Sequence, residues 1–356
     1  MSRPAISWGQ YQQQDLYPGL QGQPLLDQLV MDFEPDTVFD YGDARDTLFA
    51  RIDVQNDSLI CVYSGHKVFL PPGVDPTQGV FMNGVDDGIN TEHTWPQNFG
   101  AGAGPPRRNM HHLFPTRVAV NSARGNDPFG EINDAATEEW FYLNRRQTGI
   151  PNSAIDSYSE ARNGRFEPRE DHKGDVARAM FYFYTLYRTE ADAADPTYFG
   201  QQRQTLCNWH FQDPVDRKEW NRTMGIAQYQ GKANPFVLDC SLPERCYCED
   251  VDLNCDPTST EEAFPAAFEL LPATPNPFTQ QTELHYRLEQ SAQVRLTVTN
   301  LLGQQWLLVD EAQGAGRYTV PWQAKPQATG LLFYRLEVAQ GGRWEAVTQR
   351  MLQLSE

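Results

Sequence analysis

The pattern of apolar and polar residues divides the chain near residue 264. Before that point, the clearest element is a helix predicted over residues 171–188, because Val176, Met180 and Tyr184 recur there at helical spacing. The rest of this part mixes short apolar runs with polar segments. We therefore predict a first domain that is mostly helical but contains some strands.

A second helix is predicted from Asp213 onward. Asp213 is a favourable N-cap residue, and Pro214 suits the first turn of a helix. Trp220 and Met224 then lie four residues apart, so they share one helical face. This face is expected to pack against the core.

After residue 264 the pattern alternates with the period of a strand. The alternating segments are 283–288, 294–298, 306–309, 318–322 and 333–338. Turn signals separate them at 300–303, 314–316 and 341–342. The fold class is therefore predicted to be α+β, with a mostly helical domain over 1–260 followed by a small all-β sandwich over 265–356.

Length and charge refine this picture. A chain of 356 residues exceeds the size that one hydrophobic core usually supports, which favours two domains. The formal net charge is −18, and residues 265–356 carry 8 acidic and 7 basic side chains, so most of the negative charge belongs to the first domain. Such a balance disfavours a polyanionic partner, although binding depends on local fields and a metal ion can supply positive charge.

One segment departs from the acidic average. Residues 105–126 contain no Asp or Glu. Their basic and titratable side chains are Arg107, Arg108, Arg117, Arg124, His111 and His112. This segment is a candidate for contact with an anionic substrate.

The six cysteines indicate disulfide bonds. Four of them lie within the tail 240–255 of the first domain, and their spacing is not the paired C-x-x-C of a zinc ribbon. Structural zinc is the lesser alternative, and the pairing is left open. Disulfides predict an oxidising compartment outside the cytosol.

Export is expected, but the N-terminus gives no signal for it. No run of eighteen apolar residues is present, so no membrane-spanning segment is predicted. The first thirty residues also lack the basic start and apolar stretch of a signal peptide. Either a leader precedes this sequence, or its start was chosen too late, or the protein is not exported.

The strongest chemical motif is the pair Glu92 and His93, which follows Asn90 and Thr91 and precedes a Trp-Pro dipeptide. At the end of a strand, neighbouring side chains point to opposite faces, so one can bind metal while the other handles a proton. An isolated Glu-His pair is more often an ordinary surface pair. Here, however, a dense polar segment follows over residues 109–131.

At these two segments the sequence resembles the bacterial endonuclease I family, secreted nucleases of the ββα-metal (His-Me finger) type. The resemblance extends through 174–180, 213–216 and 234–236, and so covers most of residues 10–240. It implies that His93 is the general base and that Glu92 and Asn121 bind the metal. Asn121 would lie on the short helix of the finger.

The resemblance also implies residues that contact phosphate. The arginine placed in the finger hairpin could be Arg107 or Arg108. Arg124 and Asn126 match an Arg-x-Asn pattern after the metal ligand, with a role either on the phosphate or in support of the site. His111 and His112 receive no ligand role from the resemblance and are expected to support the finger.

The chemistry fits these residue types. Magnesium is a hard cation that keeps several waters and binds one or two protein oxygens together with phosphate oxygens. A neutral His93 would take a proton from the attacking water, leaving a 5′-phosphate and a 3′-hydroxyl. Magnesium is therefore the expected cofactor, with calcium and manganese as alternatives.

The expected substrate is DNA, with RNA also allowed, and no motif that reads bases is present. Two other functions stay open. One is a nuclease fold that has lost catalysis and binds nucleic acid or the cell surface. The other is a phosphodiesterase that acts on small esters or lipids.

The C-terminal domain resembles the sorting domain of the type IX secretion system. The resemblance rests on Pro272 to Phe278, on the Asn-Leu-Leu-Gly turn at 300–303, and on the strand 330–336. It implies a partner in the secretion machinery and a secreted or surface-attached product. A carbohydrate-binding or adhesive sandwich is the alternative.

Overall fold

A computed structural model describes residues 13–251, 255, 268–288, 290–301, 303–340 and 343–354. The chain divides into two compact units, Met1–Thr260 and Glu261–Glu356. Each unit has its own hydrophobic core. The structure confirms that helices and strands are mixed along the chain and that the C-terminal part is built from antiparallel sheets.

The first unit contains both helices and short strands. In chain order its elements are α1 (Gly22–Phe33), α2 (Tyr41–Thr47), β1 (Ser58–Ile60), β2 (Lys67–Phe69), α3 (Pro76–Phe81), β3 (Ile89–His93), α4 (Gly104–Arg108), β4 (Leu113–Arg117), α5 (Val118–Arg124), β5 (Glu139–Tyr142), β6 (Arg145–Gln147), β7 (Ser159–Arg162), β8 (Arg165–Glu167), α6 (Lys173–Leu186), α7 (Arg188–Ala194), α8 (Arg203–Gln212), α9 (Arg217–Gln230), α10 (Pro235–Leu238) and α11 (Leu242–Cys246).

Helix α6 lies at the centre of this unit. Most of its side chains are buried, as expected for a helix that is apolar on nearly all sides. The ring of Phe183 stacks on Trp95 with centroids 4.8 Å apart, which connects α6 to the segment just after β3. The helix predicted over 171–188 is thus confirmed, with ends at Lys173 and Leu186.

The predicted start of the second helix was wrong by three residues. Helix α9 has Asp216 as its N-cap, because the Asp216 side chain accepts a hydrogen bond from the Glu219 N–H. Asp213 is engaged elsewhere, since its carboxylate accepts from the backbone N–H of Gly174 at 2.8 Å. Asp213 therefore makes a tertiary contact with Gly174 and does not cap the helix that follows it.

Three antiparallel sheets lie in the first unit: β1 pairs with β2, β3 pairs with β4, and the order β6-β5-β7-β8 forms a four-stranded sheet. The β3–β4 pair runs from Ile89 opposite Arg117 to His93 opposite Leu113. All five residues of β4 are buried. This pair therefore lies inside the unit, with only part of β3 open to solvent.

Within the described residues, two disulfides form, Cys207–Cys248 and Cys240–Cys255, while Cys61 and Cys246 keep free thiols. Cys248 and its neighbour Tyr247 belong to the hydrophobic core of the first unit. The cysteine-rich tail is thus anchored in that core as far as Cys248.

The second unit is all β. Its strands are β9 (Phe268–Leu270), β10 (Gln281–Leu288), β11 (Ala292–Asn300), β12 (Gln305–Gln313), β13 (Gly316–Gln323), β14 (Gly330–Gln340) and β15 (Arg343–Gln353). They form the sheets β13-β10-β9 and β12-β11-β14-β15, and buried residues of both sheets share one core. The five predicted strands are confirmed, whereas β9 and β15 were not predicted; the turn signal at 341–342 lies outside the described residues.

No helix in the part of the chain that the structure describes combines the length and apolar character needed to cross a bilayer.

Candidate active site

The site is built on β3, β4 and the helix α5 that follows β4 without a break. The backbone N–H of Val118 donates to the Gly88 carbonyl at 2.8 Å, which ties the start of α5 to the residue before β3. As a result, Asn121 on the helix lies beside the strand that carries Glu92 and His93. The segment β3–β4–α5 therefore brings together Glu92, His93 and Asn121, which lie up to 29 positions apart in the sequence.

His93 is held in one tautomer. Its Nε2 lies 2.9 Å from the carbonyl oxygen of Arg107, and because a carbonyl can only accept, Nε2 carries the hydrogen and Nδ1 keeps its lone pair. The amide nitrogen of Gln97 lies 3.4 Å from Nδ1. The pKa of His93 is lowered to about 4, mainly by burial and also by the nearby guanidinium groups of Arg107, Arg124 and Arg45, while the hydrogen bond to the Arg107 carbonyl acts in the opposite direction. The ring is therefore a neutral proton acceptor near pH 7.

Glu92 is almost fully buried, with 2 % of its surface exposed. The hydroxyl of Tyr63 donates to Oε1 at 3.0 Å, and Nε of Arg124 lies 3.3 Å from the same oxygen. Burial raises the pKa of Glu92, while Arg124 and Tyr63 act in the opposite direction. Both of these side chains contact Oε1, and the backbone N–H of His93 also bonds the carboxylate.

Asn121 presents an amide oxygen. Its Nδ2 donates to Oδ1 of Asn90 at 2.8 Å and to the carbonyl of Thr91 at 3.3 Å. Because both amide hydrogens are used by acceptors, the orientation of the amide is fixed and Oδ1 is the free acceptor. The side chain is partly exposed, as a metal ligand in an open site requires.

The oxygen atoms of Glu92 and Asn121 suit Mg²⁺, the metal expected from the sequence. One carboxylate oxygen and one amide oxygen are the hard ligands that Mg²⁺ takes when water and phosphate complete its shell. Over the described ranges there is no group of three or more His, Cys, Asp or Glu residues that could hold a metal ion. One carboxylate and one amide therefore fit an open site with few protein ligands.

The arginines differ in their surroundings. Arg108 pairs with Asp40 at 2.7 Å near the surface, whereas Arg107 packs over the ring of Tyr41 with 4.4 Å between its guanidinium carbon and the ring centroid. Arg124 is 1 % exposed and contacts Glu92. This burial favours the supporting role for Arg124 over phosphate binding. Asn126 is exposed just beyond the end of α5.

Both histidines of the polar segment are buried, and each makes a hydrogen bond through Nε2, whereas Nδ1 of His112 has no hydrogen-bond partner among the described residues. Nε2 of His111 lies 3.0 Å from the Lys232 carbonyl, and Nε2 of His112 lies 2.7 Å from the Pro106 carbonyl. Burial lowers the pKa of both rings. These contacts are those of structural residues, in keeping with the expected support of the finger.

Sequence reasoning missed three residues at this site. Tyr63 reaches Glu92 from the loop after β1, and Tyr41 and Arg45 of α2 lie near His93, with the rings of Tyr41 and His93 5.5 Å apart. Tyr41 and Arg45 are four residues apart on one helical face, which was the available signal. Nothing local in the sequence connected that helix to a strand almost fifty residues later.

Comparisons with known proteins identify the family of the chain. The sequence model of the family described as Endonuclease I matches residues 23–241, which is more than half of the chain and includes every residue of the candidate site. This match places the chain in a family of nucleases. The chain belongs to the endonuclease I family, whose members generally use a divalent metal ion.

Two curated relatives are similar over this part. The chain is 36% identical over 172 residues to an extracellular ribonuclease of Bacillus subtilis (strain 168), covering 44% of this chain and 53% of that protein. It is 37% identical over 163 residues to an extracellular ribonuclease of Bacillus amyloliquefaciens, covering 42% of this chain and 50% of that protein. The chain thus spans about half the length of these relatives.

Among solved structures, the chain matches CopC from Methylosinus trichosporium OB3b with a TM-score of 0.19 and 15% identity, covering 25% of this chain and 95% of that one. A similarity at this level supports no argument.

Proposed function

We propose that the protein is a secreted endonuclease that hydrolyses phosphodiester bonds of nucleic acids with little sequence specificity. The observation that carries this proposal is the His93 ring, neutral and fixed with Nδ1 as acceptor, beside a strand and helix that offer Glu92 and Asn121. In this proposal β3, β4 and α5 are a ββα-metal finger. Extracellular relatives support the secreted location.

The reaction that this geometry supports is hydrolysis by an activated water. Nδ1 of His93 takes a proton from the water, the water oxygen forms a bond to phosphorus, and the bond from phosphorus to the 3′ oxygen breaks. The 3′ oxygen leaves with a proton from solvent, so the products carry a 5′-phosphate and a 3′-hydroxyl. Arg107, which packs on Tyr41 beside His93, is the proposed contact to the phosphate.

Glu92 and Asn121 would hold the metal ion through a carboxylate oxygen and Oδ1. When bound, Mg²⁺ would supply Lewis-acid polarisation of the phosphate and neutralise charge on the leaving oxygen. Arg124 and Tyr63 fix the carboxylate from behind, and Asn90 fixes the amide. Calcium or manganese offers the same kind of chemistry to these oxygen ligands.

Local charge resolves the objection raised by the acidic composition. The guanidinium groups of Arg45 and Arg107 both act electrostatically on His93 and have no carboxylate partner among the described residues, which supports a local attraction for phosphate although the chain carries a net charge of −18. A backbone contact of this kind carries no sequence information. We therefore propose broad cleavage of nucleic acid without base recognition.

The experiment that tests the proposal is digestion of supercoiled plasmid, and in parallel of a single-stranded RNA, by the oxidised full-length protein. The expected result is degradation that EDTA stops and added Mg²⁺ restores. The curated relatives are named ribonucleases, so RNA is tested beside DNA. Intact nucleic acid of both kinds in the presence of Mg²⁺, Mn²⁺ or Ca²⁺ would contradict the proposal.

The same samples separate the alternatives. A chain that retards nucleic acid in a gel without cutting it would be a binding protein on a nuclease fold. Cleavage of bis(p-nitrophenyl) phosphate with no cleavage of plasmid or RNA would indicate a phosphodiesterase for small esters. We favour the endonuclease because the catalytic and ligand groups are all present and oriented.

For the C-terminal unit we propose a role in export through the type IX secretion system, as its sequence resemblance implies. Its antiparallel sheets with a separate core support an independent address domain. Deletion of residues 265–356 is expected to retain the nuclease in the producing cell. Normal secretion of the truncated protein, or specific binding of polysaccharide by the unit, would instead favour an adhesive domain.

A further inference from the structure

Two guanidinium groups share one aromatic ring beside His93. The guanidinium carbon of Arg45 lies 4.5 Å from the centroid of the Tyr41 ring, and that of Arg107 lies 4.4 Å from it. The two cations are therefore no more than about 9 Å apart. The ring centroids of Tyr41 and His93 are 5.5 Å apart, so the group lies next to the proposed base. Cation–π contact fixes both guanidinium groups without neutralising them.

Neither cation has a carboxylate partner. Over the described residues, no Asp or Glu oxygen lies within 4.0 Å of the guanidinium nitrogens of Arg45 or Arg107, although Arg108 and Arg124 both have such a partner. The Nε atoms of Arg45 and Arg107 are also buried without a hydrogen-bond acceptor. Buried donors of this kind normally find a partner, which points to an external anion.

The acids nearest to Arg45 are already engaged or act at longer range. Asp75 accepts hydrogen bonds from the backbone N–H groups of Thr77 and Gln78 and so caps α3. Asp46 acts electrostatically with Arg45, but no ion pair within 4.0 Å joins the two side chains. Neither acid therefore replaces a phosphate as the partner of Arg45.

The alternative reading is that Arg45 only packs on Tyr41. Packing alone would use the charge of Arg45 only for a weak cation–π attraction at a partly exposed site. It would leave the positive charges of Arg45 and Arg107 within about 9 Å of each other, and the Nε–H groups of both side chains without an acceptor. A phosphodiester between or beside the guanidinium groups removes both penalties, because charge-assisted hydrogen bonds to phosphate are strong and often bidentate.

We propose that Arg45 and Arg107, aligned by Tyr41, form a two-guanidinium subsite that binds the phosphodiester backbone of the nucleic acid next to His93. This inference rests on the proposed function. It adds a residue of α2 to the substrate contacts, and it makes Arg45 a binding residue and Tyr41 a positioning residue. The ligand chemistry is the phosphodiester alone, so it applies to DNA and RNA alike.

The test measures binding separately from cleavage. A fluorescent 20-base-pair duplex is titrated with the full-length protein in EDTA at several salt concentrations between 50 and 200 mM. Each phosphate contact contributes a slope of about −0.9 to the plot of log K against log salt for duplex DNA. The Arg45→Ala variant is expected to lose about one such contact, whereas Arg45→Lys should keep the slope because it keeps the charge.

The matched control is Arg51→Ala. Arg51 is exposed in the π-helical turn Leu48–Ile52 that directly follows α2, so this variant removes the same charge. A slope for Arg45→Ala equal to that for Arg51→Ala would overturn the proposal. Tyr41→Phe should bind as the parent does, while Tyr41→Leu should raise KM more than it lowers kcat, because it frees the guanidinium groups but keeps the hydrogen bond from His93 to the Arg107 carbonyl. Circular dichroism checks that each variant is folded.

The outcomes distinguish this inference from the proposed activity. A parent protein that binds but never cleaves contradicts the proposed catalysis. In that case the comparison of the salt slopes of Arg45→Ala and Arg51→Ala still decides whether the subsite exists. A parent that cleaves while Arg45→Ala matches Arg51→Ala contradicts only the subsite. A parent that binds no nucleic acid contradicts both.

Discussion

The guanidinium group of Arg124 lies 3.3 Å from Oε1 of Glu92 in an interior where the two side chains are 1 % and 2 % exposed. Arg124 also donates to the carbonyls of Thr94 and Gly125. Its charge therefore belongs to the support of the carboxylate. The proposed metal ligand Glu92 is thus held in place by a buried ion pair.

Loss of the base is the most direct test of the mechanism. We expect His93→Ala to lower the rate of cleavage by about 10²–10⁴, the range typical of a well-placed general base. Binding of Mg²⁺, measured by calorimetry, should persist because His93 is not a proposed ligand. Parent-like cleavage by this variant would remove His93 from the mechanism.

The ligand variants should behave differently from the base variant. Glu92→Gln and Asn121→Ala each remove or weaken one proposed oxygen ligand, so both should need more Mg²⁺ to reach half-maximal activity. The measurement is the rate of plasmid nicking against Mg²⁺ concentration. Asn90→Ala is the matched comparison, because it removes only the acceptor that orients Asn121. An unchanged Mg²⁺ dependence in both ligand variants would contradict the assignment.

Breaking the buried ion pair should destabilise the fold. Arg124→Met leaves Glu92 buried without its cation, which typically costs about 3–5 kcal/mol. We expect the double variant Arg124→Met/Glu92→Gln to recover part of that loss, because no uncompensated charge remains. Denaturant unfolding of parent, single and double variants provides the comparison. Equal stability of the single and double variants would show that the pair is not coupled.

A pH effect on stability is expected at His210, away from the proposed metal ligands. Burial, helped by the charge of Arg178, lowers the pKa of His210 to about 3, and its Nε2 lies 2.9 Å from the Cys240 carbonyl. A histidine whose pKa is lower in the folded state than the unfolded value of about 6.5 binds fewer protons when folded. Its stabilising contribution is therefore present above pH 6.5 and is lost as the pH falls toward 3.

The measurement compares the parent with His210→Gln, whose amide can still donate to the Cys240 carbonyl. Between pH 6 and 4, the parent should lose stability relative to the variant by about 1.4 kcal/mol per pH unit. Calorimetry can follow the transition of the first unit. The same substitution at His285, near the surface of the second unit, is the control. Parallel curves for the parent and His210→Gln would refute the expectation.

Much of the site could be predicted because its main residues lie close together in sequence. Glu92 and His93 end a strand, and Asn121 follows the partner strand by four residues, so local pattern and family resemblance were sufficient to group them. The structure places these residues on β3 and α5, and their chemical roles stay predictions. The choice between Arg107 and Arg108 required the structure, which shows only Arg108 paired with an acid.

The rest depended on contacts between distant segments. Three contacts join parts of the chain that no local period connects: the hydrogen bond from Tyr63 to Glu92, the packing of Arg107 on Tyr41, and the pairing of Cys207 with Cys248. The start of α9 shows the same limit. Asp213 is a residue type that commonly caps helices, but its carboxylate accepts a hydrogen bond from the Gly174 N–H, and Asp216 caps α9 instead.

The Cys207–Cys248 disulfide closes a sequence separation of 41 residues and holds Tyr247 in the core against Phe181, with ring centroids 5.5 Å apart. Cross-links that close loops of this size typically stabilise a folded protein by about 2–4 kcal/mol. A newly made chain with reduced thiols lacks that contribution. An enzyme that destroys nucleic acid would thus reach its full stability only after leaving the reducing interior of the cell whose own DNA and RNA it could attack.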